Sequence, residues 1–539
     1  MRIRGLVLTV VFFGIATLAG FWLARTAQSP RSKKIAPNTS TIQKPTNQTV
    51  DPAPAFRSSP RKPVFQTDTD ADAAGALVGQ RVLKFADKAA LEHFLALNAN
   101  GKLRILGRMD RLFALRVGFL QLSDLTAALD GSEKSAMIYP VQIPSPTPGA
   151  VQPGAVGLGP YLPAWLGVSG DRSSWGSGVT VAILDTGVTS QPALAGTKIT
   201  SQYLMDPPAN AADWNGHGTA VASLVVGADP LTPGVAPGAS LLSIRVADDT
   251  GASDTFTLAQ GILDAADAGA SIINVSMGSY GDSSILADAV KYALAKGAFI
   301  IASAGNESLA QPAYPAAYDG VISVGAVDAN GDHMLFSNQG ALVSAPGYLV
   351  NAAWTNGDSV AFSGTSASAP IISGALAAIM SSGNGTQYTA AQAWSILQAN
   401  LDDAGAPGTD PVYGAGLVDL GRALRSNTPG IVDAAVASHY IVPATTPSDS
   451  PTLEITVQNR GTAPLVNATV ETTTPSGTTP FNISTLPVGQ IATFEIPLYS
   501  TAGGSSVTIS SVVKVSGGQT DAFPANNRRA DIYTPPAAP

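Results

Sequence analysis

The chain has 539 residues, 45% of them hydrophobic and only 13% charged, with 54 glycines, 39 prolines and a formal net charge of −8. That length accommodates several domains with cores of their own, and the composition fits loop-rich globular domains rather than a disordered or coiled-coil chain. The lack of cysteine excludes disulfides, thiolate catalysis and cysteine-bound zinc, and the lack of a basic stripe argues against nucleic acid as a partner.

Residues 1–27 begin with Arg2 and Arg4 and run on through an uninterrupted apolar stretch from Leu6 to Ala24, about the length that crosses a bilayer. The stretch is long for the apolar core of a signal peptide, and Arg25 spoils the small-residue cleavage site before Gln28. An uncleaved membrane anchor is therefore favoured over a cleaved signal. The cations that follow it, Arg25, Arg31, Lys33 and Lys34, would hold the bulk of the chain in the cytoplasm by the positive-inside rule, against the export argued below. Residues 28–77, rich in Pro, Ser, Thr, Asn and Asp without apolar periodicity, read as a flexible linker.

From 78 to 143 the pattern predicts strand, helix, two strands, helix, strand, with Asp87 and Ser123 as candidate helix caps. Residues 144–163 are loop by composition. Between 164 and 425 near-continuous apolar runs at 179–184, 239–246, 271–276 and 298–303 alternate with helical segments at 217–226, 255–268, 283–296, 367–380 and 389–400. Strands buried on both faces read this way, so an α/β domain with a parallel sheet covered by helices is expected. After a linker at 426–447, Thr/Val/Ser-rich alternation over 448–535 predicts an all-β sandwich of six or seven strands.

Three motifs in the α/β region sit at element boundaries. "VAILDTGV" places Asp185 at the carboxyl end of a buried strand, "NGHGTAVAS" opens a helix at His217, and "FSGTSASAP" opens another at Ser366. Ligands bind at the carboxyl ends of strands in such sheets, so an acid, an imidazole and a hydroxyl can meet on one rim. A serine hydroxyl is a weak nucleophile at neutral pH and needs a base within reach; His217 would be that base and Asp185 would fix its tautomer. Of the three serines in the last motif, Ser363 belongs to the approach loop and Ser368 lies inside the helix facing away from the rim. "IIASAGNES" ends a strand at Asn306, whose amide, with the Ser366 N–H, can meet a developing oxyanion.

These motifs, with "GVAPGA" (234–239), "INVSMG" (273–278) and "YPAAY" (314–318), occur in the order found in subtilisin-like serine proteases, and residues 164–425 resemble that family. The resemblance implies a serine endopeptidase acting on polypeptide substrates, with Ser276, Met277 and Gly278 forming one edge of the substrate cleft and Ser303, Ala304 and Gly305 lining the primary specificity pocket. Those residues are small and uncharged, so a preference for apolar or varied side chains at the cleaved bond is expected, with Glu307 turned elsewhere. Ala220 replaces a second histidine common in the family. No cofactor is implied: the segment after the His217 helix is too short for the family's strong calcium site, and the pairs Asp248/Asp249 and Asp402/Asp403 are expected to be solvated loop residues rather than Ca2+ ligands.

The 78–143 unit resembles subtilase propeptides, which implies an intramolecular inhibitor removed by self-cleavage within 141–163. The 448–535 module resembles CARDB-type immunoglobulin-like domains, which implies a spacer, substrate-presenting or adhesive role. Export of a membrane-anchored catalytic domain, or secretion if residues 1–27 are cleaved, follows from these modules together. The competing reading is an adhesion or scaffold protein that keeps an inert protease fold; an esterase is disfavoured by the peptide-binding edge and the propeptide. His93, His333 and His439 have no ligand partners at useful spacing and are expected to be structural or exposed.

Overall fold

The computed structural model describes residues 68–131, 133–145, 151–383, 386–445, 450–498 and 506–534. The membrane segment expected at 1–27 and most of the 28–77 linker lie outside them, and among the described residues no helix is long and apolar enough to cross a membrane. Asp68 is already engaged: its carboxylate accepts from the Arg81 guanidinium at 2.6 and 2.7 Å and from the Gly79 N–H at 3.1 Å. With the short helix α1 (Thr69–Ala73), this pairing brings order to residues 68–77, where composition alone predicts linker.

The expected alternation follows: β1 (Gln80–Lys84), α2 (Lys88–Leu97), β2 (Arg104–Met109), β3 (Ala114–Gly118), α3 (Leu122–Ala128) and β4 (Lys134–Ala136), with an antiparallel sheet in the order β2-β3-β1-β4. Asp87 caps α2 by accepting the Ala90 N–H at 2.9 Å. Ser123 does not cap α3, which starts one residue earlier at Leu122 with Gln121 in the cap position and no side-chain cap bond. The period of two divides the sheet's faces. Leu83, Leu115 and Val117 pack on Leu91 and Phe94 of α2, whereas Val82, Met109 and Ala114 join Ile138 and Val141 in the core of the following domain.

Residues 140–142 form β5 (Pro140–Gln142), described with the site below. Three further strands come next: β6 (Thr180–Asp185), β7 (Ile199–Tyr203) and β8 (Ser240–Arg245). After the short β9 (Ala252–Asp254) come β10 (Ile272–Val275), β11 (Phe299–Ser303), β12 (Ile322–Val327) and β13 (Val343–Pro346). All but β5 and β9 form one parallel sheet ordered β13-β12-β11-β10-β6-β8-β7. The helices between them are α4 (His217–Val226), α5 (Thr255–Asp267), α6 (Ser284–Ala295), α7 (Thr365–Ser381), α8 (Ala390–Gln398) and α9 (Leu420–Arg425).

Central β6 shows why its sequence is an unbroken apolar run. Val181 and Ile183 enter the core shared with α4 and α7, while Ala182 and Leu184 enter the one shared with α5 and α6. Both faces are dry, so Ile183→Ala would cost about 2–5 kcal/mol. The order of the sheet reverses at β6, which is where a crevice opens at the strand's carboxyl end.

The carboxyl-terminal strands form two antiparallel sheets, 434–442/452–459/491–497 and 477–486/465–474/507–514/528–533. They enclose a core of Leu453, Ile455, Val457, Leu465, Val470, Ile509 and Val513. This sandwich is docked on the α/β domain. Asp402 receives Arg422 at 3.2 Å and Arg460 at 2.9 Å, and Gln458 accepts the Asp403 N–H while donating to the Leu401 carbonyl.

Candidate active site

Asp185 ends β6 fully buried, and each carboxylate oxygen lies 2.9 Å from His217 Nδ1. A carboxylate only accepts, so Nδ1 carries the hydrogen and Nε2 is left as the acceptor. His217 is the first residue of α4 and 1% exposed, its ring is edge-on to Phe362, and its Nε2 has no partner. The helix approaches the strand this closely because residue 218 is glycine: a Cβ there would lie 2.3 Å from the Gly187 carbonyl oxygen. Thr186 tightens the corner, its N–H donating to Asp185 Oδ1 at 2.7 Å and its hydroxyl to the Asn215 carbonyl at 3.0 Å.

Ser366 is the second residue of α7. Its hydroxyl donates to the Ser276 carbonyl at 3.0 Å, so in this state it is turned to the strand edge rather than to His217. Pro370 has no N–H to give the Ser366 carbonyl, four residues back, and that oxygen accepts the Ser276 hydroxyl at 3.2 Å instead. Beneath this exchange runs a buried chain that sequence reasoning missed: Ser373 Oγ donates to Asn274 Oδ1 and Asn274 Nδ2 to Ser276 Oγ, each at 2.9 Å. A polar residue inside an apolar strand run was its one sequence signal.

Asn306 Oδ1 accepts both the N–H and the hydroxyl of Thr365 at 2.9 Å, and its Nδ2 is buried without a partner. Gly364, at φ +122°, makes room for that amide: a Cβ would lie 2.8 Å from Nδ2. Ser363 and Ser368 serve the framework. Ser363 Oγ accepts the Leu349 N–H, and Ser368 Oγ donates to the carbonyls of Ala345 and Pro346.

A cleft of about 420 Å³ runs past His217, Asn215, Trp214 and Trp354, and residues Ile143, Pro144 and Ser145 line it from the amino-terminal unit. β5 adds antiparallel to β9, and Gln142 bridges to Gly278 on the other side, so the tail of the amino-terminal unit is a strand between the two edges. A smaller pocket beside it is lined by Met277, Gly278, Ser303, Gly305, Tyr280 and Glu307. Ser276 can meet the cleft edge only through its backbone, since its side chain is fully buried on Ser366. Two expectations need correction here. Ala304 is also fully buried and absent from the pocket lining, its carbonyl taken by Ala313 and Asn338. Glu307 does face the pocket, held by the Tyr280 hydroxyl and by the Asn306 N–H at 2.7 Å. Burial and then this carboxylate push the Tyr280 hydroxyl well above its ordinary range.

The acidic pairs are not simply solvated. Asp249 pairs with Arg245 at 2.9 Å and accepts the Asn215 N–H, Asp248 closes the turn to Thr250 and Ala252, and Asp402 bridges two arginines. Arg245, which sequence reasoning passed over, is fully buried and donates to the Thr186 carbonyl beside Asp185. Among the described residues no group of three or more His, Cys, Asp or Glu could hold a metal ion. The same three residue types as Asp185, His217 and Ser366 meet once more in the sandwich. His439 Nε2 lies 2.7 Å from Ser511 Oγ, and its Nδ1 is 2.8 Å from Asp531, close enough for an ion pair but not aligned as a hydrogen bond. Ser511 is 3% exposed, shares its hydroxyl with Thr472 and sits mid-strand with no helix terminus behind it, so that cluster is framework.

A parallel α/β sheet that sets Asp185 against His217 at its carboxyl rim, with Ser366 at the start of a covering helix, fits the hydrolase class. The Subtilase family matches residues 176–416. The chain is 37% identical over 259 residues to the thermostable alkaline protease of Halalkalibacterium halodurans, covering 47% of this chain and 70% of that protein. It is 37% identical over 214 residues to thermitase of Thermoactinomyces vulgaris (39% of this chain, 77% of that protein), and 33% identical over 262 residues to subtilisin Savinase of Lederbergia lenta (47% and 94%). The chain belongs to the subtilase family and is a subtilisin-like serine endopeptidase.

Proposed function

We propose that Ser366 is the nucleophile, His217 its base, and Asp185 the group that holds the imidazole, with Asn306 Nδ2 and the Ser366 N–H as oxyanion donors. In the reaction Ser366 Oγ leaves the Ser276 carbonyl and attacks the substrate carbonyl carbon while its proton passes to His217 Nε2. The oxyanion is held by the two donors, the C–N bond breaks as Nε2 protonates the leaving amine, and water repeats the sequence on the acyl-enzyme. One observation carries this reading. Both Asp185 carboxylate oxygens lie 2.9 Å from His217 Nδ1, which leaves Nε2 as a buried acceptor without a partner, and Asn306 Nδ2, held by Thr365 at the start of the Ser366 helix, is likewise buried and unpartnered. Polypeptide substrates would add as a strand between β9 and Gly278, the course β5 follows.

The same pairing supports a propeptide role for 78–143, with residues 140–145 blocking the cleft until self-cleavage within 141–163. Arg116 on Asp254 at 2.8 Å, Arg111 on Asp264 at 2.8 Å and Lys84 on Asp288 add charge complementarity to that docking. The sandwich is read as a CARDB-type spacer or substrate-presenting module on an exported enzyme, membrane-anchored if residues 1–27 are retained. The inert-scaffold alternative separates cleanly. Wild type should react with a serine-directed phosphonate and shorten on a gel, and Ser366→Ala should do neither. A Ser366→Ala chain that still shortens by itself would end the self-cleavage reading.

A further inference from the structure

The tail in the cleft carries a proline where a backbone donor is needed. Gln142 and Gly278 form an antiparallel bridge in which the Gln142 N–H donates to the Gly278 carbonyl at 3.2 Å, and the next residue turns its N–H the other way, Ile143 donating to Gly251 at 2.9 Å. Continuing that register by two residues on each strand sets residue 144 opposite Ser276, with its nitrogen directed at the Ser276 carbonyl. Residue 144 is proline and has nothing to donate. The Ser276 carbonyl receives the Ser366 hydroxyl instead, at 3.0 Å, while His217 Nε2 stays without a partner.

We propose that Pro144 makes residues 140–145 a slowly cleaved inhibitor, by leaving the Ser276 carbonyl to the Ser366 hydroxyl and so parking the nucleophile off its base. Any other residue at 144 offers an N–H to Ser276. That bond seats the strand and competes with the Ser366 hydroxyl for the carbonyl, weakening its hold on Ser366 Oγ in favour of His217 Nε2. The bond then cut is 144–145: Ser366 Oγ bonds to the residue 144 carbonyl carbon, the C–N bond breaks, and the Oγ proton reaches the Ser145 nitrogen by way of His217. Water releases the acyl group.

This inference rests on the reading that the tail lies in the substrate cleft of an active Ser366 enzyme. The test follows the full chain by intact mass and amino-terminal sequencing in four forms: wild type, Pro144→Ala, Pro144→Val and Ser366→Ala. Alanine and valine both restore the N–H but differ in bulk, so both should release a product beginning at Ser145 about tenfold faster than wild type, at a rate independent of protein concentration. Equal rates in wild type and both variants, or acceleration by only one of them, would overturn the role of the missing donor. Self-processing of Ser366→Ala would instead sink the underlying reading, and the two failures cannot be confused.

Discussion

Thr365 gives both its N–H and its hydroxyl to Asn306 Oδ1 at 2.9 Å, which fixes the amide so that Nδ2 is the end left unbonded. The orientation is determined chemically, because a backbone N–H can be accepted by the oxygen and not by the NH2. The residue before the nucleophile therefore aims the oxyanion donor, and both are set by the start of one helix.

Removing that donor should lower kcat about 10²–10³-fold with little change in KM, since the interaction forms only as charge develops. Asn306→Ala also strips Thr365 of its acceptor, whereas Asn306→Asp keeps an acceptor and loses the N–H donor but adds a negative charge beside the oxyanion, so its loss of kcat should be the larger of the two. Steady-state kinetics on a chromogenic peptide checks both. An unchanged kcat in both variants would remove Asn306 from the oxyanion hole.

Glu307 gives the pocket a charge that its small neighbours do not reveal. Its carboxylate is exposed and already accepts from Tyr280 and from the Asn306 N–H, so it should repel acidic side chains without demanding basic ones. Glu307→Gln keeps the shape and removes the charge. The ratio of kcat/KM for substrates with Glu and Gln at the cleaved bond should rise about 5–10-fold, the scale of two charges several Å apart at a wet surface. No change in that ratio would place the carboxylate outside the pocket's working range.

The contrast between Ser366 and Glu307 shows what the sequence makes legible. The sheet was readable at β6, β8, β10 and β11, because strands buried on both faces leave unbroken apolar runs, and the placement of Asp185 at a strand end and of His217 and Ser366 at helix starts was readable from motif position. β7 was not: it closes the sheet's edge, and "ITSQY" carries polar side chains where one face is wet. β13 and α9 are short and hide among Gly-rich turns. Side-chain direction is a tertiary property, so the aim of Glu307, the burial of Ala304 and the Ser276–Ser366 exchange had no local signature.

Asp403 gives the fold a pH dependence of defined sign. It is 5% exposed, its Oδ1 accepts the Gly408 N–H and its Oδ2 has no partner, and burial pushes its carboxyl up to about 6. An unfolded chain releases this proton near pH 4, so the native state holds the extra proton between about pH 4 and 6 and stability falls as pH rises through that window. Asp403→Asn keeps the acceptor for Gly408 and does not titrate. Its stability relative to wild type should improve by on the order of 2 kcal/mol between pH 4 and 7, measured by denaturant unfolding at each pH. Parallel stability curves for the two proteins would disprove the assignment. Half-buried Asp419, also raised to about 6 mainly by desolvation, should leave a residual slope of the same sign in the variant.

The sandwich is tied to the catalytic domain through a charge that neither side can spare. Asp402 holds Arg422, which is 4% exposed, and Arg460 of the sandwich, and Arg422 also donates to the Leu401 carbonyl at 2.8 Å. Asp402→Ala leaves a buried guanidinium without its counter-charge and should cost about 3–5 kcal/mol. Arg460→Ala removes the sandwich's side of the bridge, a mostly buried side chain that also donates to Gln458, and should cost less, about 1–3 kcal/mol, because Arg422 still neutralises Asp402. Unfolding followed by the fluorescence of catalytic-domain tryptophans such as Trp214 would distinguish the cases. A tethered but independent spacer predicts no effect of either substitution on that transition, whereas a docked module predicts the graded loss.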